Sequence, residues 1–278
     1  MGSPFKKQLA PTTNLNPMNK IMAFILGMLM LGSSVHAQRN LTPGKPSLED
    51  RFPRKSGSML FSALSISYPD MLDDQSATDS LRFYNNGSKP IALTVTNVAP
   101  HLTASLSTTT LAPGAEGFLK VKFDAAKKGD YGFIVDQITL ETTDDISPDK
   151  FVIISTDIMP RPKPMTKDDS LNAPLLVVLD SLIDFGKVKE GDPNQRSFRI
   201  RNNGKSDLKL LAVKTSCGCI SGQAAKMALT PGESTDVQAS IHTEGKNGVY
   251  YYEIMLYSND PYSAKKEVPL KIEVSRKD

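Results

Sequence analysis

The chain writes the same unit twice. SLRFYNNG (80–87) returns as SFRIRNNG (197–204), and LAPGAEGFLKVKFD (111–124) returns as LTPGESTDVQASIH (229–242). GDYG at Gly129 corresponds to GVYY at Gly248, and ITLETTDD (138–145) to IMLYSNDP (254–261). Any structure assigned to one copy must also suit the other. Two copies of this length are too few and too long for a solenoid, so the reading is tandem domains of about 100 residues each.

Each copy reads as strands. FRIRN places Phe198 and Ile200 on one face and Arg199 and Arg201 on the other, the period of a half-buried strand. VQASIHT, YYYEIMLYS and KEVPLKIEVS continue the alternation. Asn86-Gly87 and Asn203-Gly204 predict tight hairpins with two central residues at positive φ. Pro113-Gly114 and Pro231-Gly232 predict type II turns, in which proline presets one φ and glycine takes the positive one. The expected fold class is therefore all-β: two tandem immunoglobulin-like antiparallel β-sandwiches.

What precedes the repeats looks like an address. Asn19-Lys20 lead into the apolar run IMAFILGMLML (21–31), and Val35 and Ala37 fit the small-residue pattern of a cleavage site. A dozen helical residues rise roughly 18 Å, short of a hydrocarbon core of about 30 Å. The expectation is a signal peptide over 1–37, translated from Met1 or Met18, with a mature chain that begins at Gln38. Removing it takes away Lys6, Lys7 and Lys20 but no acid, so Lys+Arg falls from 33 to 30 and balances the 30 Asp+Glu. A neutral mature chain lacks the basic surplus that nucleic-acid binding needs.

The remaining boundaries follow composition. Residues 38–58 are polar and proline-containing and read as a disordered tail; 160–174, PRPKPMTKDDSLNAP, reads as a Pro-rich linker. Between and after them lie the sandwiches, 59–159 without cysteine and 175–278 with a CGC motif.

IDFGKVKEGD (183–192), FRIRNNGKSDLKLLAVKTSCGCI (198–220), LTPGES (229–234) and IMLYSNDP (254–261) together resemble the domain of unknown function 1573 family. That family is an immunoglobulin-like domain frequent in Bacteroidetes envelope proteins. The first half resembles it as a diverged copy. The resemblance implies a fold and a compartment, periplasmic or secreted, but no reaction.

Cys217 and Cys219 are the only cysteines, and three readings of them stand open. On one strand they share a face, as two small apolar residues. As a disulfide in an exported protein they face a distance problem, since alternate Cβ atoms of a strand lie about 7 Å apart against roughly 3.8 Å for a disulfide. Gly218 offers a way to fold the backbone back, through its access to positive φ. Closing so short a loop contributes only about 1.6 kcal/mol of unfolded-state entropy, which makes a poor staple and leaves both an inert disulfide and a redox pair open. As a metal site, two thiolates suit Cu(I), whereas Zn²⁺ wants four ligands and only His101 and His242 remain to help. In the alignment of the two copies, Pro100 stands opposite Cys217 and Leu102 opposite Cys219.

A search for catalytic patterns finds no H-E-x-x-H, G-x-S-x-G or EF-hand loop. NGKS (203–206) imitates the end of a phosphate loop, but Arg199 occupies the first glycine's place. A Cys217–His242 pair would need the strands to bring the two together. Alternation in VYYYEIMLY (249–257) sends Tyr250, Tyr252, Ile254 and Leu256 inward, leaving Tyr251, Met255 and Tyr257 as a strip for a partner. Asp-Ser-Leu recurs at Ser80, Ser170 and Ser181, similar to the O-glycosylation pattern of Bacteroidetes, with Ser170 the expected acceptor. The functional expectation is an exported, non-enzymatic binding or scaffold protein with an envelope-protein partner and no cofactor, bound through a sheet edge or the tyrosine strip. The alternative is a thiol redox or Cu(I) site at Cys217, Gly218 and Cys219.

Overall fold

A computed structural model describes residues 46–277, and the signal-peptide segment with its cleavage site lies outside them. The first sandwich is built from β1 (Arg54–Ser56), β2 (Met59–Phe61), β3 (Ser65–Ser67), β4 (Met71–Leu72), β5 (Ser76–Asn85), β6 (Ile91–Thr96), β7 (Leu102–Leu106), β8 (Thr110–Leu111), β9 (Glu116–Asp124), β10 (Gly132–Thr142) and β11 (Asp149–Met159). The second contains β12 (Leu176–Val178), β13 (Ile183–Lys189), β14 (Gln195–Asn202), β15 (Leu208–Thr215), β16 (Ile220–Ala224), β17 (Ala228–Leu229), β18 (Ser234–Ile241), β19 (Gly248–Ser258) and β20 (Lys265–Ser275).

Sheet order confirms the duplication. In the first sandwich β1-β2-β5-β9-β7 faces β3-β11-β10-β6-β8, and β4 adds to β11. The second runs β12-β14-β18-β16 against β13-β20-β19-β15-β17, the same path without the additions. In both, the opening strand is split. β2 and β12 pair antiparallel in one sheet, whereas β3 and β13 pair parallel with β11 and β20 in the other. The fold is an immunoglobulin-like sandwich twice over.

Alternation sets each core. Leu119, Val121 and Phe123 of β9 are buried, as are Val237, Ala239 and Ile241 of β18, and Phe198 and Ile200 lie inside as their pattern requires. Each of these side chains larger than alanine contributes roughly 1.5–3 kcal/mol on leaving water. Gly114 (φ +74°) and Gly232 (φ +79°) take the left-handed conformation expected of the Pro-Gly turns. Each turn is closed by an amide-to-carbonyl bond, Ala115 to Ala112 and Glu233 to Thr230.

The Asn-Gly expectation is corrected. The strands flanking each NNG lie in different sheets, so the segment is a corner, not a hairpin, and neither Gly87 nor Gly204 has a left-handed φ. The first asparagine makes the corner. Fully buried Asn202 donates from Nδ2 to the carbonyls of Ser206 (2.8 Å) and Leu229 (3.0 Å) and accepts at Oδ1 from the Gly204 amide (2.9 Å). Asn85 does the same with Lys89 (2.8 Å), Leu111 (2.9 Å) and Gly87 (2.9 Å). Glycine is required at 204 by close approach, because a Cβ there would lie 2.3 Å from the Ala173 carbonyl oxygen. The local NG signal is the same for a hairpin and a corner; only the partner strands distinguish them.

Two segments expected to be loose carry structure. From Pro46 the tail joins the sandwich: Ser47 caps the short helix α1 (Leu48–Arg51), Phe52 is buried beside Tyr84, and β1 pairs with β2. A second short helix, α2 (Ala125–Lys128), follows β9 and ends at Gly129 (φ +62°). The expected linker includes α3 (Lys167–Asn172), capped by Thr166 with Asp169 in a reciprocal pair of bonds, and the Tyr262 hydroxyl donates to the Ser170 carbonyl (2.7 Å).

Residues from Pro46 onward form one compact unit, and the two sandwiches touch. Tyr131 stacks on Tyr257 (centroids 6.1 Å apart), and Lys214 Nζ donates to Asp130 Oδ2 at 2.7 Å. The strip Tyr251, Met255 and Tyr257 is corrected accordingly. Tyr257 is fully buried at this seam, Met255 is half-buried, and Tyr251 alone stays in solvent at 71% exposure. Strand alternation correctly sends Tyr257 to the outer face, but the neighbouring sandwich covers that face.

Candidate functional site at the Cys217–Cys219 corner

β15 belongs to one sheet of the second sandwich and β16 to the other, and residues 216–219 carry the chain across. The cysteines therefore lie in a turn and not on one strand, which corrects the strand reading. They are joined as a disulfide with Cα atoms 5.1 Å apart. The fold-back needs no left-handed Gly218, whose φ lies outside that region. Thr215 Oγ1 donates to the carbonyls of Cys217 (3.1 Å) and Ile220 (3.2 Å), pinning both ends of the turn. The Cys219 amide donates to Cys217 Sγ at 3.0 Å. Both cysteines are half-buried and pack against the second core alongside Tyr250 and Tyr252. Gly218 is exposed, and a Cβ placed on it would meet nothing within 4 Å.

The equivalent corner of the first sandwich follows from hydrogen bonding. The Ile220 amide donates to Cys217 O, and the His242 amide to Cys219 O. In the first copy Leu102 donates to Ala99 O, and Asp124 to His101 O. Ala99 and His101 are thus the counterparts of the cysteines, one residue before Pro100 and Leu102. The sequence alignment slipped because the two corners share no residue types. Here the fastening is polar: His101, 6% exposed, lies 2.8 Å from Asp136 Oδ2 and edge-on to Phe123, and Lys128 also reaches Asp136.

The other candidates fall apart from this corner. His242 meets it through the backbone, and its side chain is exposed. No cluster of three or more metal-ligating side chains occurs among the described residues. With both sulfurs bonded to each other there is no thiolate for Cu(I) in this form. Ser170 lies in α3, half-buried, with its hydroxyl donating to the Lys167 carbonyl at 2.7 Å.

Sequence reasoning missed a second surface. On the outer face of β10 and β11, Phe133 is 72%, Val135 55%, Phe151 53% and Ile153 37% exposed. Val135 pairs with Ser155, two residues from Ile153, so the four form a diagonal stripe across adjacent strands. The signal was present in GFIVDQ and KFVIIS, where both strand faces carry apolar residues. A strand with one solvated face should alternate instead.

Residues 176–274 match the family described as "Protein of unknown function (DUF1573)". The DUF1573 match covers the second sandwich and ends within β20. A protein of unknown function from Porphyromonas gingivalis W83 is 18% identical, with a TM-score of 0.58 over 78% of this chain and all of its own. This likeness supports the two-sandwich fold. The ASH / PapD-like domain 7 of human CEP192 is 14% identical over 42% of this chain and 94% of its own, with a TM-score of 0.32. The periplasmic chaperone SfaE is 11% identical over 79% of this chain and 100% of its own, with a TM-score of 0.30. No curated protein matches the sequence. No helix among the described residues is long and apolar enough to cross a membrane.

Proposed function

We propose that this chain is an exported, non-enzymatic binding or scaffold protein of a bacterial envelope, docking a protein partner on the outer face of β10 and β11. The observation that carries the reading is the stripe Phe133, Val135, Ile153 and Phe151, four large apolar side chains in solvent on adjacent strands. Contiguous exposed apolar surface of this kind marks interaction sites more than it marks free surface. Gln137 and Thr139 lie across from Ile153 and Phe151, supplying hydrogen-bonding groups at the margin. Export is supported by the basic-then-apolar leader ending in Val35-His36-Ala37.

The experiment is crosslinking in intact cells followed by identification of attached proteins, comparing the natural chain with Val135→Lys/Phe151→Lys. The expected result is loss of the principal crosslinked species, with circular dichroism and thermal midpoint unchanged. Equal crosslinking by both chains would overturn the docking face. Terminal sequencing of the chain from fractionated cells should give Gln38. A cytosolic product retaining its leader would overturn export.

A further inference from the structure

The corner disulfide has features that stabilisation does not account for. The first sandwich builds the same crossing, with the same two backbone hydrogen bonds, from Ala99 and His101. So the fold does not require a covalent link there. The ring that Cys217 and Cys219 close, two residues apart in sequence, is too short to remove much unfolded-chain entropy. Gly218 between them is exposed, and both cysteines are half-buried rather than sealed in the core. The two sulfurs are also unlike. Cys217 Sγ receives the Cys219 amide at 3.0 Å, a hydrogen bond that favours the charged form of whichever sulfur accepts it.

We propose that Cys217–Cys219 is a thiol–disulfide exchange site that oxidises dithiols, with Cys219 as the sulfur attacked and Cys217 as the leaving group. A thiolate of the dithiol attacks Cys219 Sγ, the Cys217–Cys219 bond breaks, and its electron pair leaves on Cys217. That thiolate is received by the amide hydrogen bond already in place, and a more stable leaving thiolate leaves faster. The substrate's second thiolate then attacks its own sulfur in the mixed disulfide and releases Cys219. The substrate ends as a disulfide and its two protons end on Cys217 and Cys219, so electrons and protons balance with no third reactant. The site is independent of the docking stripe; its exchange chemistry would replace the non-enzymatic part of the proposed function and leave the docking part as it stands.

The test begins with the folded, oxidised chain and reduced glutathione as probe. After acid quenching and alkylation, peptide mapping should find glutathione on Cys219 and the alkyl group on Cys217. One equivalent of dithiothreitol should be oxidised without loss of the β-sheet signal. Glutathione mainly on Cys217, or reduction only in denaturant that unfolds the second sandwich, would overturn the proposal. Single variants provide a check that needs no mixed disulfide. At pH 7 the free Cys217 of Cys219→Ser should react with iodoacetamide about tenfold faster than the free Cys219 of Cys217→Ser, since residue 219 keeps its amide in both. Equal or reversed rates, with both variants folded by circular dichroism, would defeat it.

Discussion

Cys219 and His101 hold one position in two sandwiches, each offering its carbonyl to an amide at the end of the neighbouring strand, of His242 just past β18 in one copy and of Asp124 closing β9 in the other. Around that shared backbone the side chains diverged into a disulfide and a buried imidazole–carboxylate pair. Stability should therefore depend on the two corners to different degrees. Replacing both cysteines by alanine should cost about 1–2 kcal/mol, the size of the lost loop closure. His101→Ala should cost about 2–4 kcal/mol, since it empties a packed site and removes a partner of Asp136. Urea midpoints of the two variants against the natural chain give the comparison.

The asparagine corners predict a larger effect. Asn202→Ala strands the carbonyls of Ser206 and Leu229 and the amide of Gly204. At about 1–3 kcal/mol for each buried or part-buried group left unmade, the second sandwich should lose about 3 kcal/mol or more, a large share of a typical domain's stability of about 5–15 kcal/mol. Asn85→Ala should do the same to the first. A loss under about 1 kcal/mol in either would mean that water replaces the side chain.

Glycine substitutions should separate crowding from openness. Gly204→Ala drives a Cβ against the Ala173 carbonyl and the Leu175 amide, both backbone and unable to swing aside. A destabilisation of about 2 kcal/mol or more is expected. Gly218→Ala meets empty space without a left-handed φ and should lie within about 0.5 kcal/mol of the natural chain. Thermal unfolding of both variants checks the pair.

Acid should weaken the first sandwich through Asp144. Burial pushes its carboxyl up, but hydrogen bonds from Lys150 Nζ (2.7 Å) and the Ser58 amide (2.8 Å), with that of Ile146, outweigh this and hold it below the ordinary value. A lowered folded pKa means stability that is complete above the unfolded value of about 4 and is lost as pH falls through the folded one. The thermal midpoint should drop on acidification below about pH 4. In Lys150→Met this acid-dependent loss should shrink, because the cost of about 3–5 kcal/mol for an unpaired carboxylate falls on the ionised form at neutral pH and is relieved as Asp144 is protonated. An unchanged acid limb in that variant would remove Asp144 as its source.

Much of the fold was legible because the repeat made each copy a check on the other. Phe198 and Ile200 went inside and Gly114 and Gly232 turned as their neighbours dictated, all local physics. What failed was non-local. Asn203-Gly204 looks alike in a hairpin and a corner, and the burial of Tyr257 depends on Tyr131, far away in the other copy. At the candidate site the residues were found, but not their geometry. Gly218 drew attention for a positive φ that the turn does not use, and Ala99 and His101 were hidden because hydrogen bonding, not residue type, is what the two corners share. The stripe on β10 and β11 was visible as apolar residues of both parities on two adjacent strands, whereas in the second sandwich only β19 shows this and β20 alternates with Lys and Glu.

The Tyr131–Tyr257 stack and the Lys214–Asp130 pair turn what composition suggested was a tether into a strut. Lys214 stands three positions before Cys217, and Gly132, whose Cβ would meet the Tyr257 hydroxyl, immediately precedes Phe133. The joint thus ties the segment that opens the apolar stripe to the strand that leads into the sulfur pair. A ligand large enough to span both would find a ruler of one length, and slackening the joint should cost it avidity while sparing each half-contact.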